Sequence, residues 1–379
     1  MKYISRATEN NIKKYLKPNK AVVLLGARRV GKTELIKHVL SGLDKRALVL
    51  SGEDEETRIS LEPRTALNYK RLLGNTKLLV IDEAQAVPDI GFKLKLMLDS
   101  IDGLKILVTG SSVFDLTNTL GEPLVGRKMT LYLFPLAQIE FGQGENYLET
   151  RGRLEERLVY GSYPELVHIV SNGEKADYLK ELVSSYLLKD ILEFEGIRKR
   201  DKIVSVLRMI AFRVGSEISI EGIANDLQIN KSTVDKYLDL LSKVFIIHKL
   251  SGFSRNLDNE ITKKNKWYFY DNGIRNALIN NFNPLTIRDD HGVLWENYLI
   301  AERLKFQEYK RLHTSNYFWR THTRQEIDWI EDRGGKLYAY EFKWNPKKKT
   351  QVPASWSKAY SKASFELIHP ANYLEFITD

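Results

Sequence analysis

The sequence predicts an α/β chain whose first part is a parallel sheet and whose last part carries a smaller α/β unit of its own. Three observations carry that reading. Apolar runs of strand length, among them Ala21 to Leu25, Leu78 to Ile81 and Lys105 to Val108, alternate with stretches of helical periodicity. This is the pattern of strands buried on both faces beneath helices. The octapeptide Gly26-Ala27-Arg28-Arg29-Val30-Gly31-Lys32-Thr33 follows the first of these runs and opens a helical stretch, Glu34 to Leu40. Far along the chain, Tyr317 to Arg320, Gln325 to Ile330 and Lys336 to Lys343 read as further strands behind an amphipathic helix, Leu294 to Leu304.

The octapeptide has the phosphate-loop pattern GxxxxGK[ST], or Walker A, in the strand–loop–helix context that gives the pattern its meaning. Its glycines let the backbone turn tightly and aim N–H groups at a phosphate, and the helix N-terminus adds its dipole. Lys32 is expected on the β- and γ-phosphates and Thr33 on Mg²⁺, with the rest of the octapeptide as the cradle. The strand Lys77 to Ile81 ends in Asp82-Glu83. Ligands of open α/β sheets bind at the carboxyl ends of strands. Asp82 is therefore expected to hold Mg²⁺ and Glu83 to polarise the attacking water. The strand that begins at Lys105 ends in Thr109-Gly110-Ser111-Ser112, where a hydroxyl can read the γ-phosphate. Ser111 is the preferred sensor, with Thr109 beside it. Gly126-Arg127 precedes a fifth strand, Leu131 to Phe134, and Arg127 is a candidate for offsetting transition-state charge. No guanine-specifying Asn-Lys-x-Asp stands in a strand context, so ATP is the expected nucleotide.

A chain of 379 residues has room for two or three domains. A hydrophobic content of 43% is enough for ordinary cores, and a net charge of +9 fits an acidic partner such as nucleic acid. The absence of cysteine excludes disulfides, thiolate zinc sites and cysteine nucleophiles. The polar start, Met1 to Arg6, lacks the apolar core of a signal peptide, and no stretch approaches the roughly 18 apolar residues that span a bilayer. The expectation is a cytoplasmic protein without membrane contact. The histidines show no metal-ligand spacing.

Taken in order, residues 1–20 read as a helix, Arg46 to Leu50 as the second strand, and acidic Glu53 to Glu56 as a solvated loop. Helices are expected to end at Leu73 and to cover Phe92 to Leu98. The segment 136–200 is helical, with apolar spacings of three and four over Arg153 to Tyr160 and Tyr178 to Phe194, and reads as a lid or linker. Glu193 to Arg200 reads as a charged hinge. Ser219 to Leu227, a turn at Gln228-Ile229-Asn230, and Lys231 to Leu241 read as a helix-turn-helix. Strands Phe245 to Leu250 and Trp267 to Tyr270 flank a basic run, Lys263-Lys264-Asn265-Lys266, which completes a winged helix. Lys231, Ser232, Thr233 and Lys236 then start a helix able to enter the major groove of double-stranded DNA, although Asp235 and Asp239 on the same helix oppose phosphate attraction. A winged helix used for packing or for a protein partner is the competing reading.

GARRVGKT, LLVIDEAQ, TGSS, GR before a strand and FPL, and GSYPE at Gly161 to Glu165 occur here in one order. The chain thereby resembles a prokaryotic family of AAA-like ATPases that carries a C-terminal domain of unknown function. The resemblance spans nearly the whole chain and implies a P-loop domain with an extra acidic residue after the Walker B aspartate, a position that Glu83 fills. In the last unit, Glu296, Asp328 and Glu341-x-Lys343 occur in the order of the PD-(D/E)xK nuclease superfamily. Two carboxylates and a lysine on paired strands can bind Mg²⁺ and activate water on a phosphodiester.

The expected organisation is a P-loop ATPase domain over 1–135, a helical lid or linker over 136–200, a winged helix over 201–285 and a nuclease-like domain over 286–379. The expected function is Mg-dependent ATP hydrolysis that couples nucleotide state to the second half, with duplex DNA, a protein partner or a second copy of the chain as candidate partners. An ATP-licensed DNA nuclease and a signalling switch that binds protein rather than DNA stand as alternatives.

Overall fold

A computed structural model describes residues 3–42, 46–111, 123–187, 200–253, 265–321, 325–347 and 351–379. Ser112, most of the Glu193 to Arg200 segment, and Lys263 and Lys264 lie outside the described residues. The chain divides into two compact units. Among the described residues, one comprises those up to Phe134 with Lys243–Phe245, the other those of Pro135–Ser242 and Ile246–Asp379.

The first unit is built on five parallel strands: β1 (Lys20–Leu25), β2 (Leu48–Ser51), β3 (Leu78–Asp82), β4 (Lys105–Gly110) and β5 (Lys128–Tyr132). Their order in the sheet is β2-β3-β4-β1-β5. Helices α1 (Thr8–Tyr15), α2 (Lys32–Ser41), α3 (Glu55–Leu61), α4 (Ala66–Leu73) and α5 (Ile90–Ser100) connect or flank the strands. Ala21 to Leu25 are each at most 2% exposed, as a central strand covered on both faces requires. Burying each of the two valines and two leucines among them stabilises the unit by about 1.5–3 kcal/mol. Because β4 lies between β1 and β3, the octapeptide after β1 and the carboxylates after β3 open on either side of Thr109. The acidic run that read as a loop is a helix start. Asp54 caps α3 by accepting from the Thr57 amide at 3.0 Å, and Glu55 and Glu56 sit in the first turn, where the helix dipole favours negative charge.

The second unit holds a seven-stranded mixed sheet in the order β12-β11-β10-β9-β7-β8-β6. The strands are β6 (Glu217–Ile218), β7 (Ile247–Gly252), β8 (Asn265–Phe269), β9 (Ser315–Arg320), β10 (Glu326–Arg333), β11 (Lys336–Phe342) and β12 (Ser364–Ile368). Helices Arg200–Phe212, Ile220–Leu227 and Lys231–Lys243 precede β7. A parallel pairing, Ser251 with Tyr317 and Gly252 with Phe318, joins β7 to β9, so strands on either side of residue 285 share one sheet. Phe253, Trp319, Ile327, Ile330, Leu337, Ala339 and Trp356 pack into one apolar cluster against it.

The GSYPE segment owes its first residue to a close approach. Gly161 has φ +75°, and a Cβ there would lie 2.0 Å from Oδ1 of Asp271. Asp271 in turn accepts from the Ser162 amide at 2.7 Å and from the Ile274 amide at 3.2 Å. Asn272 and Asn276 donate to the carbonyl of Leu158, both at 3.2 Å, so this motif ties residues 158–162 to the helix Asn272–Leu278.

Candidate functional site

The octapeptide wraps from the end of β1 into α2. A Cβ on Gly26 would lie 2.1 Å from the carbonyl oxygen of Leu133, and Gly31 caps α2 with φ +92°, so both positions need glycine. A buried arginine braces the loop from behind. Arg6 is 4% exposed and donates to the carbonyls of Val30 at 2.7 Å and Phe134 at 2.6 Å. No pattern in the sequence marks Arg6.

Lys32, Thr33, Asp82, Glu83 and Ser111 come together at the carboxyl ends of β1, β3 and β4. Thr33 Oγ1 donates to Asp82 Oδ2 at 2.7 Å, and Thr109 Oγ1 donates to the other carboxylate oxygen of Asp82. Hydroxyl and carboxylate oxygens side by side are a donor set suited to Mg²⁺, a hard cation that takes oxygen ligands. Lys32 Nζ donates to the carbonyls of Gly26 at 3.0 Å and Ala27 at 3.2 Å, and lies 3.7 Å from Glu83 Oε1. The ammonium is thus pre-placed in the loop with one carboxylate near it.

Glu83 takes a left-handed backbone conformation, φ +49°, which is strained for a residue with a side chain and is characteristic of functional sites. Two hydrogen bonds hold it there: its amide donates to Thr109 Oγ1 at 3.0 Å and its carbonyl accepts from the Ala86 amide at 3.1 Å. Gly52 leaves room for that carbonyl, which would lie 2.3 Å from a Cβ there. Gln85 completes the arrangement. Its Nε2 donates to Glu83 Oε2 at 2.5 Å and to Ser111 Oγ at 3.3 Å, while its buried Oε1 has no hydrogen-bond partner. Gln85 stands in the same DEAQ segment as the carboxylates, and its spacing from Glu83 is the signal that could have found it.

Arg127 is not brought to this site. It precedes β5, its carbonyl accepts from the amide of Ala21 at the start of β1, and its guanidinium pairs with Asp99 of α5. It therefore sits at the amino end of the strands, a strand length of roughly 17 Å from the octapeptide of its own chain. The Gly-Arg dipeptide fixed its neighbourhood in sequence but not the end of the sheet it occupies.

In the second unit Glu296, Asp328, Glu341 and Lys343 converge, and three further side chains join them. The hairpin β10–β11 pairs Trp329 with Tyr340, and Asp328 Oδ2 accepts from the Phe342 amide at 2.8 Å. Asp328 lies in a register shift between β10 and β9, from Ile327 to Ile330. Such bulges re-aim side chains next to functional sites. Lys343 Nζ donates to Glu341 Oε1 at 2.5 Å, and Glu341 Oε2 is buried without a partner. Lys266 of β8 enters from the opposite side. It is 2% exposed, pairs with Glu326 and lies 3.7 Å from Glu296, whose Oε1 also accepts from Tyr268 Oη at 2.6 Å. Lys266 is therefore an internal counter-ion and not a cation on an exposed wing.

Burial and the neighbouring Asp328 charge push the carboxyls of Glu296 and Glu341 up to about 7. Burial also raises Asp328, against the pull of Lys266. Burial would lower the ammonium of Lys266, but Glu296 and Glu326 outweigh it and hold it above its ordinary value. Among the described residues no group of three or more histidine, aspartate or glutamate side chains is placed to hold a metal ion.

On the helix Lys231–Lys243, Lys231, Ser232 and Lys236 are exposed and Thr233 is half-buried, while Val234, Tyr237 and Leu238 face the core. Lys231 lies 3.3 Å from Glu221 of the preceding helix, an exposed pair of the kind that contributes little.

Residues 18–142 match a family profile described as an AAA domain. Residues 151–285 and 291–372 match two domains of unknown function, DUF8612 and DUF4143. The chain is 27% identical over 348 residues to an uncharacterized protein of Methanocaldococcus jannaschii, covering 86% of this chain and 75% of that one. It is 25% identical over 327 residues to an uncharacterized protein of Mycobacterium tuberculosis, covering 85% and 70%. Among solved structures, a RuvB variant from Thermotoga maritima aligns with TM-score 0.33 and 15% identity, over 65% of this chain and 90% of that one. A signal-transduction ATPase with numerous domains from Pyrococcus horikoshii aligns with TM-score 0.26 and 15% identity, over 82% and 48%. The first unit is thus a mixed α/β, P-loop type fold similar to AAA domains, followed by a segment similar to DUF4143, and the AAA match supports nucleotide-dependent ATPase activity. No helix among the described residues is long and apolar enough to cross a membrane.

Proposed function

We propose that the chain binds ATP at the octapeptide and hydrolyses it. The observation that carries this reading is the junction of the Thr33–Asp82 hydrogen bond with the Lys32–Glu83 approach at the ends of three neighbouring strands. Thr33 and Asp82 would hold Mg²⁺, which supplies positive charge against the β- and γ-phosphates when bound. Lys32 turns from the carbonyls of Gly26 and Ala27 to the γ-phosphate. Glu83, fixed by Thr109 and Gln85, accepts the proton of the attacking water, and Ser111 donates to the γ-phosphate. Colorimetric phosphate release from ATP, with and without Mg²⁺ and duplex DNA, tests the reading; absence of release under all conditions would overturn it.

The nucleotide state is coupled, in this reading, to the second unit. There the order helix, β6, two helices, β7 and β8, with β8 between β6 and β7, supports a winged helix over 201–285. Lys231, Ser232, Thr233 and Lys236 are its DNA-facing residues, and residues 136–200 form the helical linker. A protein-binding switch remains the competing role for the same surface, and salt-dependent DNA binding separates the two. The convergence of Glu296, Asp328, Glu341 and Lys343 favours a nuclease-like fold for 286–379, while Lys266 supplies inside the cluster the charge a metal would bring. The domain is accordingly assigned a scaffold role, and a nicking assay on supercoiled plasmid with ATP and Mg²⁺ or Mn²⁺ tests it. Nicking that disappears in Asp328→Ala and Lys343→Ala would restore the nuclease reading.

A further inference from the structure

The first unit contains a second concavity, at the end of the sheet away from the octapeptide. It has a volume of about 670 Å³, within the range of small-molecule sites. Its wall is cationic. Lys13 comes from α1, Arg46 from just before β2, Lys77 from just before β3 and Lys105 from the first position of β4. Its floor is apolar, with Leu16 at 7% and Leu78 at 3% exposure.

Backbone and side-chain hydrogen bonds fix the frame of this cavity. Leu78 pairs with Lys105 in the β3–β4 ladder, and the amide of Lys105 donates to the carbonyl of Lys77 at 2.9 Å. The chain before β1 is pinned alongside, because the amide of Asn19 donates to Leu104 at 2.7 Å and its side chain accepts from Gly103 at 2.8 Å. Lys77 Nζ reaches the carbonyl of Asp102 at 2.6 Å, while the carboxylate of Asp102 accepts from the Asn19 amide group at 3.1 Å. Among the described residues, none of the four cations is ion-paired with a carboxylate and no acidic side chain lines the cavity.

Four like charges gathered around one apolar floor repel one another, and a counter-charge from a ligand relieves that repulsion. A cationic wall above an apolar floor selects a small anion with an apolar body. We propose that this cavity binds such a ligand, an aromatic or acyl molecule bearing phosphate, sulfonate or carboxylate, at a site separate from the nucleotide site. Strand β1 separates the two by roughly 17 Å.

The test uses the full chain in saturating Mg-ATP and the aromatic sulfonate 8-anilinonaphthalene-1-sulfonate as probe. One saturable site per chain is expected, weakened by added salt and displaced by pyrophosphate. The double variant Lys13→Glu/Arg46→Glu, altered at two exposed positions, is expected to bind the probe at least fivefold more weakly with a circular-dichroism melting temperature no lower than that of the wild type. Lys105→Gln, which removes one charge from a more buried position, is expected to weaken binding in the same direction. A double variant that retains affinity within fivefold, no saturable site in the wild-type chain, or a bound probe that pyrophosphate leaves in place overturns the proposal.

Discussion

The two units place lysine against carboxylates in opposite ways. At the end of β1, Lys32 is held by backbone carbonyls and stands 3.7 Å from Glu83, while Asp82 is satisfied by two hydroxyls. In the proposed function these partners give way to phosphate and metal oxygens. In the second unit, Lys266 and Lys343 are already paired with Glu326 and Glu341, and Tyr268 donates to Glu296. The same residue types form an open site in one place and a self-neutralised cluster in the other. The difference lies in whether backbone carbonyls share the cation with a more distant carboxylate, as at Lys32, or carboxylates hold it directly, as at Lys266 and Lys343.

If that contrast holds, the largest effect comes from breaking the closed cluster. Lys266→Met removes the buried counter-ion of Glu296, while Glu326 keeps Arg320 at 3.7 Å, and is expected to cost about 3–5 kcal/mol of stability. The loss is expected to be greater at pH 8 than at pH 5.5, because Glu296, pushed up to about 7, is protonated at the lower pH and then needs no counter-ion. Chemical denaturation at the two pH values checks this, and an unchanged midpoint at pH 8 would mean that Lys266 is not a counter-ion. The open site responds differently. Lys32→Ala is expected to weaken ATP binding on the order of 10- to 100-fold, through the loss of charge-assisted hydrogen bonds of about 1.5–3 kcal/mol, with little change in thermal stability.

A third effect depends on pH. Glu296 and Glu341 sit at about 7 in the folded chain against an ordinary 4.5. Below about 4.5 they are protonated in both states, so they carry no penalty there. As pH rises from about 4.5 to about 7 the unfolded chain ionises them first, and stability falls, by at most about 1.4 kcal/mol per pH unit for each group. Glu296→Gln and Glu341→Gln are each expected to flatten that fall, measured as the difference in unfolding free energy between pH 5 and pH 7.5. The smallest effect is expected at the exposed helix. Lys231→Ala with Lys236→Ala should change stability by less than about 0.5 kcal/mol. In the DNA-binding reading the pair lowers the salt slope by about one per lost phosphate contact. An unchanged slope favours a protein partner.

The sheet of the first unit and its phosphate loop were legible because buried parallel strands read as continuous apolar runs and the loop chemistry fixes residue types at fixed spacing. Asp82 and Glu83 were legible for the same reason, standing where an apolar run stops. Arg127 misled because a sequence neighbour of a strand can occupy either end of it. Lys266 misled because its neighbours Lys263 and Lys264 suggested a solvated run, whereas strand alternation puts Lys266 and Tyr268 on one face. Arg6 and Gly52 left no signal, since their roles arise from approaches between segments distant in sequence. The bulge that turns Asp328 likewise depends on register, which alternation alone does not set.

The proposed hydrolysis depends above all on Glu83. Binding of a fluorescent ATP analogue and Mg-dependent phosphate release, measured side by side for wild type and Glu83→Gln, separate its chemical role from a structural one. If Glu83 is the base, binding stays within about threefold of wild type and turnover falls by about 10²–10⁴, the range for loss of a positioned base. Turnover within a few-fold of wild type, or a loss of binding as large as that of Lys32→Ala, would contradict it.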